Sequence, residues 1–238
     1  FDQTNLSLIH FNIRSLPKYY SDLKAYLACI CIKYTVICLS ETWLNSSSVD
    51  LYHLEDYNHV HKHRDELDFI GKSKGGGVSL LIKEHVEFKC RNDLDVFTED
   101  LESLFIQIDK DQINSDKDVV IGVVYRPPNR KIETCIEYMK GILETVRCEN
   151  RYCYFLGDYN INILNIDSHS ATSDFLDVMY SNSFLPMINK PTRVRENSAT
   201  LIDNVYTNCF NECKIVTGVL HTDLSDHFPI FLISDTGK

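Results

Sequence analysis

Polar residues close a series of short apolar runs along this chain, and runs of that length read as strands. Asn5 to Ile13 carries Asn12 near its end, and Thr35 to Ser40 delivers Glu41. Val119 to Tyr125 ends on a tyrosine, and Tyr152 to Leu156 runs into Gly157-Asp158-Tyr159-Asn160. Thr200 to Thr207 contains Asp203, and Leu224-Ser225-Asp226-His227-Phe228-Pro229 leads into a closing strand from Pro229 to Ile233. Polar groups at strand ends are where open α/β sheets build ligand sites.

Helical spacing separates several of these runs. Pro17 opens a stretch to about Lys33 with Leu23, Tyr26, Leu27 and Ile30 on one face, and Ile132 to Arg147 is amphipathic through Ile136, Met139, Ile142, Leu143 and Val146. Ser173 to Ser181 is a third helical stretch with Asp174 in its first turn. The strand, helix, strand order at the start brings Asn12 and Glu41 to the same end of a sheet. Residues 44 to 75 are polar and loop-like, with one short strand near Tyr57 to His61. Gly75-Gly76-Gly77 lacks the Lys-Ser/Thr of a phosphate loop and precedes a strand, so it reads as a flexible entry to Val78 to Ile82. Val86 to Cys90, Leu101 to Asp109 and Lys214 to Leu220 are further strands. Strands following one another in mid-chain imply mixed or antiparallel pairing. The expected fold class is α/β (α+β): one domain over residues 1 to 238, two mixed β-sheets packed face to face and flanked by helices.

With 44% apolar and 24% charged residues, a sizeable core is available, and no run approaches the eighteen apolar residues of a membrane span. No membrane partner is expected. The nine cysteines include no Cys-x-x-Cys pair, and several lie in apolar runs, which favours reduced thiols in an intracellular compartment. The absence of an initiator methionine suggests a segment of a longer protein. A net charge of -10 argues against a nucleic-acid partner, but nine acids and two lysines between Asp93 and Asp118 carry -7 of it, leaving -3 for the rest. Basic residues recur beside the polar set: Arg14, Lys18, Lys62, Arg64, Lys72, Lys74, Arg126, Arg130, Lys131, Lys190, Arg193 and Arg195. Singly each is a solvated surface charge. Together they suggest a phosphate-facing rim.

The polar set suits phosphodiester hydrolysis, which needs charge neutralised on phosphoryl oxygens, an activated in-line water and help for the leaving oxygen. Glu41 could hold Mg2+, and Asn12, an amide in an apolar strand, either serves that site or bonds backbone. Asp158 and Asn160 either hold a water or form an Asx turn. His227 could donate to a phosphoryl oxygen with Asp203 or Asp226 fixing its tautomer, or be a loop histidine. Tyr125 could contact phosphate or simply pack in the core. Ser225, Thr192 and Thr200 are weaker candidates for phosphate contacts.

In order, His10-Phe11-Asn12-Ile13-Arg14, Ser40-Glu41-Thr42-Trp43-Leu44, Gly75-Gly76-Gly77-Val78, Val124-Tyr125-Arg126-Pro127-Pro128, Gly157-Asp158-Tyr159-Asn160, Thr200-Leu201-Ile202-Asp203-Asn204-Val205 and Ser225-Asp226-His227-Phe228-Pro229 span the chain. Together they resemble the endonuclease/exonuclease/phosphatase superfamily, and within it the apurinic-like endonuclease domain of non-LTR retrotransposons. The resemblance implies a four-layer sandwich and a nuclease using Mg2+, with Mn2+ as a substitute, that nicks double-stranded target DNA and leaves a 3′-hydroxyl. That hydroxyl would prime a covalently linked reverse transcriptase, with the protein made in the cytoplasm and acting in the nucleus. It further implies Asn12, Glu41 and Asp226 at the metal, and Tyr125, Asp158, Asn160, Asp203 and His227 as catalytic groups. Asp158 would be general base or leaving-group acid. Arg14, Arg126, Thr192, Arg193, Thr200 and Ser225 would meet DNA. Tyr125, where deoxyribonuclease-like and sphingomyelinase-like members carry His, and Ile13-Arg14 after the strand asparagine set the chain apart from lipid phosphodiesterases and abasic-site enzymes. Those activities, and a non-catalytic binding module, are the alternatives.

Overall fold

The structure, a computed structural model, describes residues 6–66 and 75–235. Asn5, Lys72 and Lys74 lie outside the described residues. The first half runs β1 (Leu6–Asn12), α1 (Leu16–Cys29), β2 (Val36–Ser40), β3 (Tyr57–Lys62), β4 (Val78–Lys83), β5 (Phe88–Cys90), β6 (Glu102–Ile108) and β7 (Val119–Tyr125). The second half runs α2 (Ile132–Arg147), β8 (Tyr152–Asp158), α3 (Ser170–Ser181), β9 (Leu185–Pro186), β10 (Arg193–Arg195), β11 (Ser198–Thr200), β12 (Asp203–Thr207), β13 (Lys214–Val219) and β14 (Ile230–Asp235).

Two six-stranded sheets form, ordered β13-β14-β1-β2-β4-β3 and β5-β6-β7-β8-β12-β9, with β10-β11 as a separate hairpin. The pairs β1–β2 and β7–β8 are parallel, and the other pairings are antiparallel. A parallel pair needs a crossover connection, which α1 and α2 supply. Each sheet therefore has a parallel pair at its centre with an antiparallel strand on either side.

The layers follow from the two-residue period of the strands. Leu6 and Leu8 of β1, Val36 and Cys38 of β2, Val119, Ile121 and Val123 of β7, and Tyr152, Tyr154 and Leu156 of β8 face one another between the sheets. The alternate residues Ile9, Phe11, Ile37 and Leu39 pack with Leu16 and Leu23 of α1. Val120, Val124, Cys153 and Phe155 pack under α2 and α3. The result is helix, sheet, sheet, helices: the four-layer sandwich expected.

Most strand ends shift from expectation by a residue or two, and three boundaries differ for a local reason. Helix α1 stops at Cys29 rather than near Lys33, because Ile30 turns extended at φ -82, ψ 138. Helix α3 begins at Ser170, so Asp174 lies beyond its first turn. The run from Thr200 to Thr207 divides at Leu201 and Ile202 into β11 and β12, since Thr200 belongs to the hairpin and Asp203 to the sheet.

Candidate active site

Asn12, Tyr125 and Asp158 are the last residues of β1, β7 and β8, and each continues the inward-facing period of its strand. Asp203 opens β12 directly opposite Asp158. Glu41 follows β2 one residue beyond the Asn12–Ser40 register pair. The polar set thus caps the apolar layer between the sheets at one end. Gly157 is needed for the close approach of β8 to β7 rather than for a turn, because a Cβ there would sit 1.8 Å from the Val124 carbonyl oxygen.

Asn12 joins the two sheets. Its Nδ2 donates to Glu41 Oε1 at 3.0 Å and to Asp158 Oδ2 at 2.8 Å. Its Oδ1 is buried and has no hydrogen-bond partner among the described residues. Asp158 is fully buried. Its Oδ1 accepts from the Asn160 backbone N–H at 2.9 Å and its Oδ2 from Asn160 Nδ2 at 3.0 Å. Asn160, at φ 48, also donates to the Arg126 carbonyl at 2.8 Å. An Asx turn and a site pair are therefore the same structure here.

The His227 Nδ1 lies 2.9 Å from Asp203 Oδ2 and 3.9 Å from Asp158 Oδ2. Thr192 Oγ1 donates to Asp203 Oδ2 at 2.7 Å. Burial would lower the His227 pKa, but the Asp203 carboxylate, helped by Asp158, raises it to about 9. Burial and the nearby Asp203 charge raise Asp158 above its ordinary value. Asp203 is held low against its own burial by His227, His10 and Thr192. The result is an imidazolium paired with the Asp203 carboxylate, beside an Asp158 whose hold on its proton is strengthened. Tyr125 is buried, with its hydroxyl pushed up by burial and by the charges of Glu41, Asp158 and Glu102.

Asp158, Asp203 and His227 bring ligand atoms within 4.8 Å of one another and are, among the described residues, the group of such side chains that could hold a metal ion. Their mutual bonding makes them better counterions than ligands. Glu41 and Asn12 offer a carboxylate and an orphaned amide oxygen, hard donors of the kind Mg2+ prefers.

A family model described as Endonuclease/Exonuclease/phosphatase family matches residues 9–227. The chain belongs to that family. No curated protein matches it by sequence. The endonuclease domain of TRAS1, a telomere-specific non-LTR retrotransposon, superposes with a TM-score of 0.69 at 12% identity, covering 98% of this chain and 100% of that one. The AP endonuclease LMAP from Leishmania major gives 0.74 at 15% identity, covering 98% and 89% respectively. D. rerio TDP2 complexed with single strand DNA product gives 0.68 at 13%, covering 99% and 100%. As a member of the endonuclease/exonuclease/phosphatase family, the chain has the fold of a nuclease or phosphodiesterase.

Several expected roles are displaced by what the side chains touch. Arg126 was expected at DNA, but it is buried and its guanidinium donates to the carbonyls of Pro127, Arg130, Tyr159 and Asn160. It braces the loop under the site. Thr192 is fully buried, and its hydroxyl serves Asp203 and the backbone N–H groups of Ile202 and Asp203 rather than phosphate. Ser225 donates to the carbonyls of Asn12 and His227, pinning the last loop to β1. Thr200 sits in the hairpin, its hydroxyl 3.5 Å from the Arg193 carbonyl.

Asp226 was expected beside the metal. Both its oxygens accept from arginines instead: Arg14 at 2.7 Å on Oδ1, and Arg193 at 2.9 Å and Arg195 at 3.1 Å on Oδ2. Burial would raise its pKa, but these bonds hold it far below the carboxylate range. In this structure it anchors three arginines. Of the other expected rim cations, Lys62 pairs with Asp95 at 2.9 Å and Arg130 with Glu99 at 2.8 Å.

The residue that sequence reasoning missed is Glu102. It is fully buried on β6, in register with Tyr125, and accepts from Arg64 and from the Gly77 amide. The signal for it was an acid opening an otherwise apolar strand, obscured by the acids around it.

Proposed function

We propose that the chain is a divalent-metal-dependent DNA endonuclease that nicks one strand of double-stranded target DNA and leaves a 3′-hydroxyl. The observation carrying this reading is Asn12, whose amide ties the Glu41 carboxylate of one sheet to the Asp158 carboxylate of the other. Similarity to an endonuclease domain from a non-LTR retrotransposon and to an AP endonuclease supports DNA as the substrate.

A bound Mg2+ would be held by Glu41 and Asn12 Oδ1 and would neutralise charge on the phosphoryl group. Asn160 fixes Asp158 so that its carboxylate can exchange a proton with the attacking water or the departing oxygen. His227, with Nδ1 committed to Asp203, presents Nε2 as donor to a phosphoryl oxygen. The Tyr125 hydroxyl is a second donor. Water adds to phosphorus, the bond from phosphorus to O3′ breaks, and O3′ leaves protonated as the 3′-hydroxyl, with a 5′-phosphate on the other side.

In this reading the 3′-hydroxyl primes a reverse transcriptase covalently linked to the domain, acting on chromosomal DNA in the nucleus. Nicking of supercoiled plasmid with Mg2+ tests it. Glu41→Gln and Asp158→Ala should each lower the rate by at least about 100-fold. Parent-like nicking by either variant, or hydrolysis of inositol phosphates without nicking, would overturn it.

A further inference from the structure

Glu41 leaves β2 in the left-handed region at φ 52, and Trp43 follows at φ 56. Side-chain-bearing residues adopt such backbone only when neighbours hold them there. On one side the holders are the Ser15 and Leu16 amides, which donate to the Glu41 and Thr42 carbonyls at 2.9 and 2.8 Å. On the other side are glycines: the Thr42 amide donates to the Gly77 carbonyl at 3.2 Å and the Trp43 amide to the Gly76 carbonyl at 2.9 Å.

The glycine segment is fixed rather than flexible where it meets this turn. The Gly77 amide donates to Glu102 Oε2 at 2.5 Å, and Arg64 Nε donates to Glu102 Oε1 at 2.5 Å. A Cβ on Gly76, at φ 74, would lie 2.1 Å from Arg64 Nε, and one on Gly77, at φ 87, would lie 2.5 Å from Thr42 Oγ1. Only glycine lets the segment pass between the buried carboxylate and the Glu41 turn. A fully buried carboxylate is costly unless strong donors surround it, and here one of its two donors, the Gly77 amide, belongs to the segment that fastens Glu41.

We propose that Glu102 is a positioning residue for Glu41, setting the geometry of the metal carboxylate through Gly77, Gly76 and the turn at Thr42-Trp43. This rests on the reading of Glu41 as a metal ligand. Glu102 itself touches neither metal nor substrate. A mere structural brace would change stability alone, whereas a positioning residue changes the metal affinity of the folded protein.

Trp43 supplies the readout. It is the single tryptophan of the sequence, and its Nε1 donates to Glu41 Oε2 at 3.3 Å. Titrating Mg2+ alone into the protein, followed by Trp43 emission and by calorimetry, compares the parent with Glu41→Gln, Glu102→Gln and Arg64→Lys. Glutamine keeps the shape of Glu102 but can accept from only one of its two donors. Lysine keeps the charge of Arg64 without its planar Nε donor. Outer-shell changes of this kind weaken metal binding by about 10- to 100-fold. Glu102→Gln, folded by near-ultraviolet circular dichroism, should lose that much, and Arg64→Lys should lose several-fold. On plasmid, kcat should fall with KM held. If Glu102→Gln does not fold, Arg64→Lys decides. Folded variants with parent-like Mg2+ affinity overturn the proposal while Glu41→Gln still loses binding. A parent, or a Glu41→Gln variant, whose Mg2+ behaviour contradicts a site at Glu41 overturns the functional reading as well.

Discussion

Replacing Asp203 with asparagine tests the charge pattern of the site. Asp203 is the nearest partner of His227 and the main cause of its raised pKa of about 9. Against an ordinary histidine value of about 6.5, that shift corresponds to roughly 3 kcal/mol. The His227 and Asp203 side chains are 3% and 1% exposed, so solvent screens little of it. Breaking a buried ion pair on one side costs about 3–5 kcal/mol, a large part of the 5–15 kcal/mol that holds a typical domain together. Because the folded pKa lies above the unfolded one, the His227 contribution is complete below about pH 6.5 and is lost as pH rises through 9. The parent should therefore lose stability across that window, while Asp203→Asn starts lower and changes less with pH. Urea midpoints across the window and an NMR titration of the His227 imidazole measure both effects. A variant in which His227 still titrates near 9, or whose stability declines as steeply as the parent's, refutes the assignment.

The acid side should behave in the opposite sense. Burial pushes His10, His59 and His61 down to about 4, so their contribution is complete above about pH 6.5 and is lost as pH falls towards 4. Urea midpoints should drop over that interval, and a flat profile would show that the histidines are not held neutral. Arg126→Ala should destabilise by about 3 kcal/mol, since it strands several buried carbonyls, yet leave the salt dependence of DNA binding unchanged. A reduced salt slope would make it a phosphate contact after all. Arg195, whose side chain is 59% exposed, should give the converse: Arg195→Ala lowers the salt slope by about 1 with an unchanged melting temperature.

What was legible in the sequence follows the two physical periods. Inward-facing residues recur every second position, so an apolar run ending in Asn12 or Asp158 announces a polar cap on a sheet without any knowledge of its partner. The helical face of α2, Ile132–Arg147, was readable to its ends for the same local reason. The illegible part depends on contacts distant in sequence. Arg126 looks like any loop arginine until Tyr159 and Asn160 supply its acceptors. Thr192 looks like a surface threonine until β12 brings Asp203 to it. Glu102 sits in the most acidic part of the chain, where charge suggests solvent, and only Arg64 and Gly77 reveal it as interior. Asp226 adjoins the histidine in sequence, but the arginines claim it in space.

The Asn12 bridge has a consequence for how this molecule becomes competent. Its two acceptors arise from opposite halves of the polypeptide, 29 and 146 positions away. The Asn12–Glu41 contact lies within the first sheet, but the link to Asp158 closes only when the second sheet docks against it. The complete bridge is thereby a mark of finished folding, and no fragment lacking either sheet can hold it.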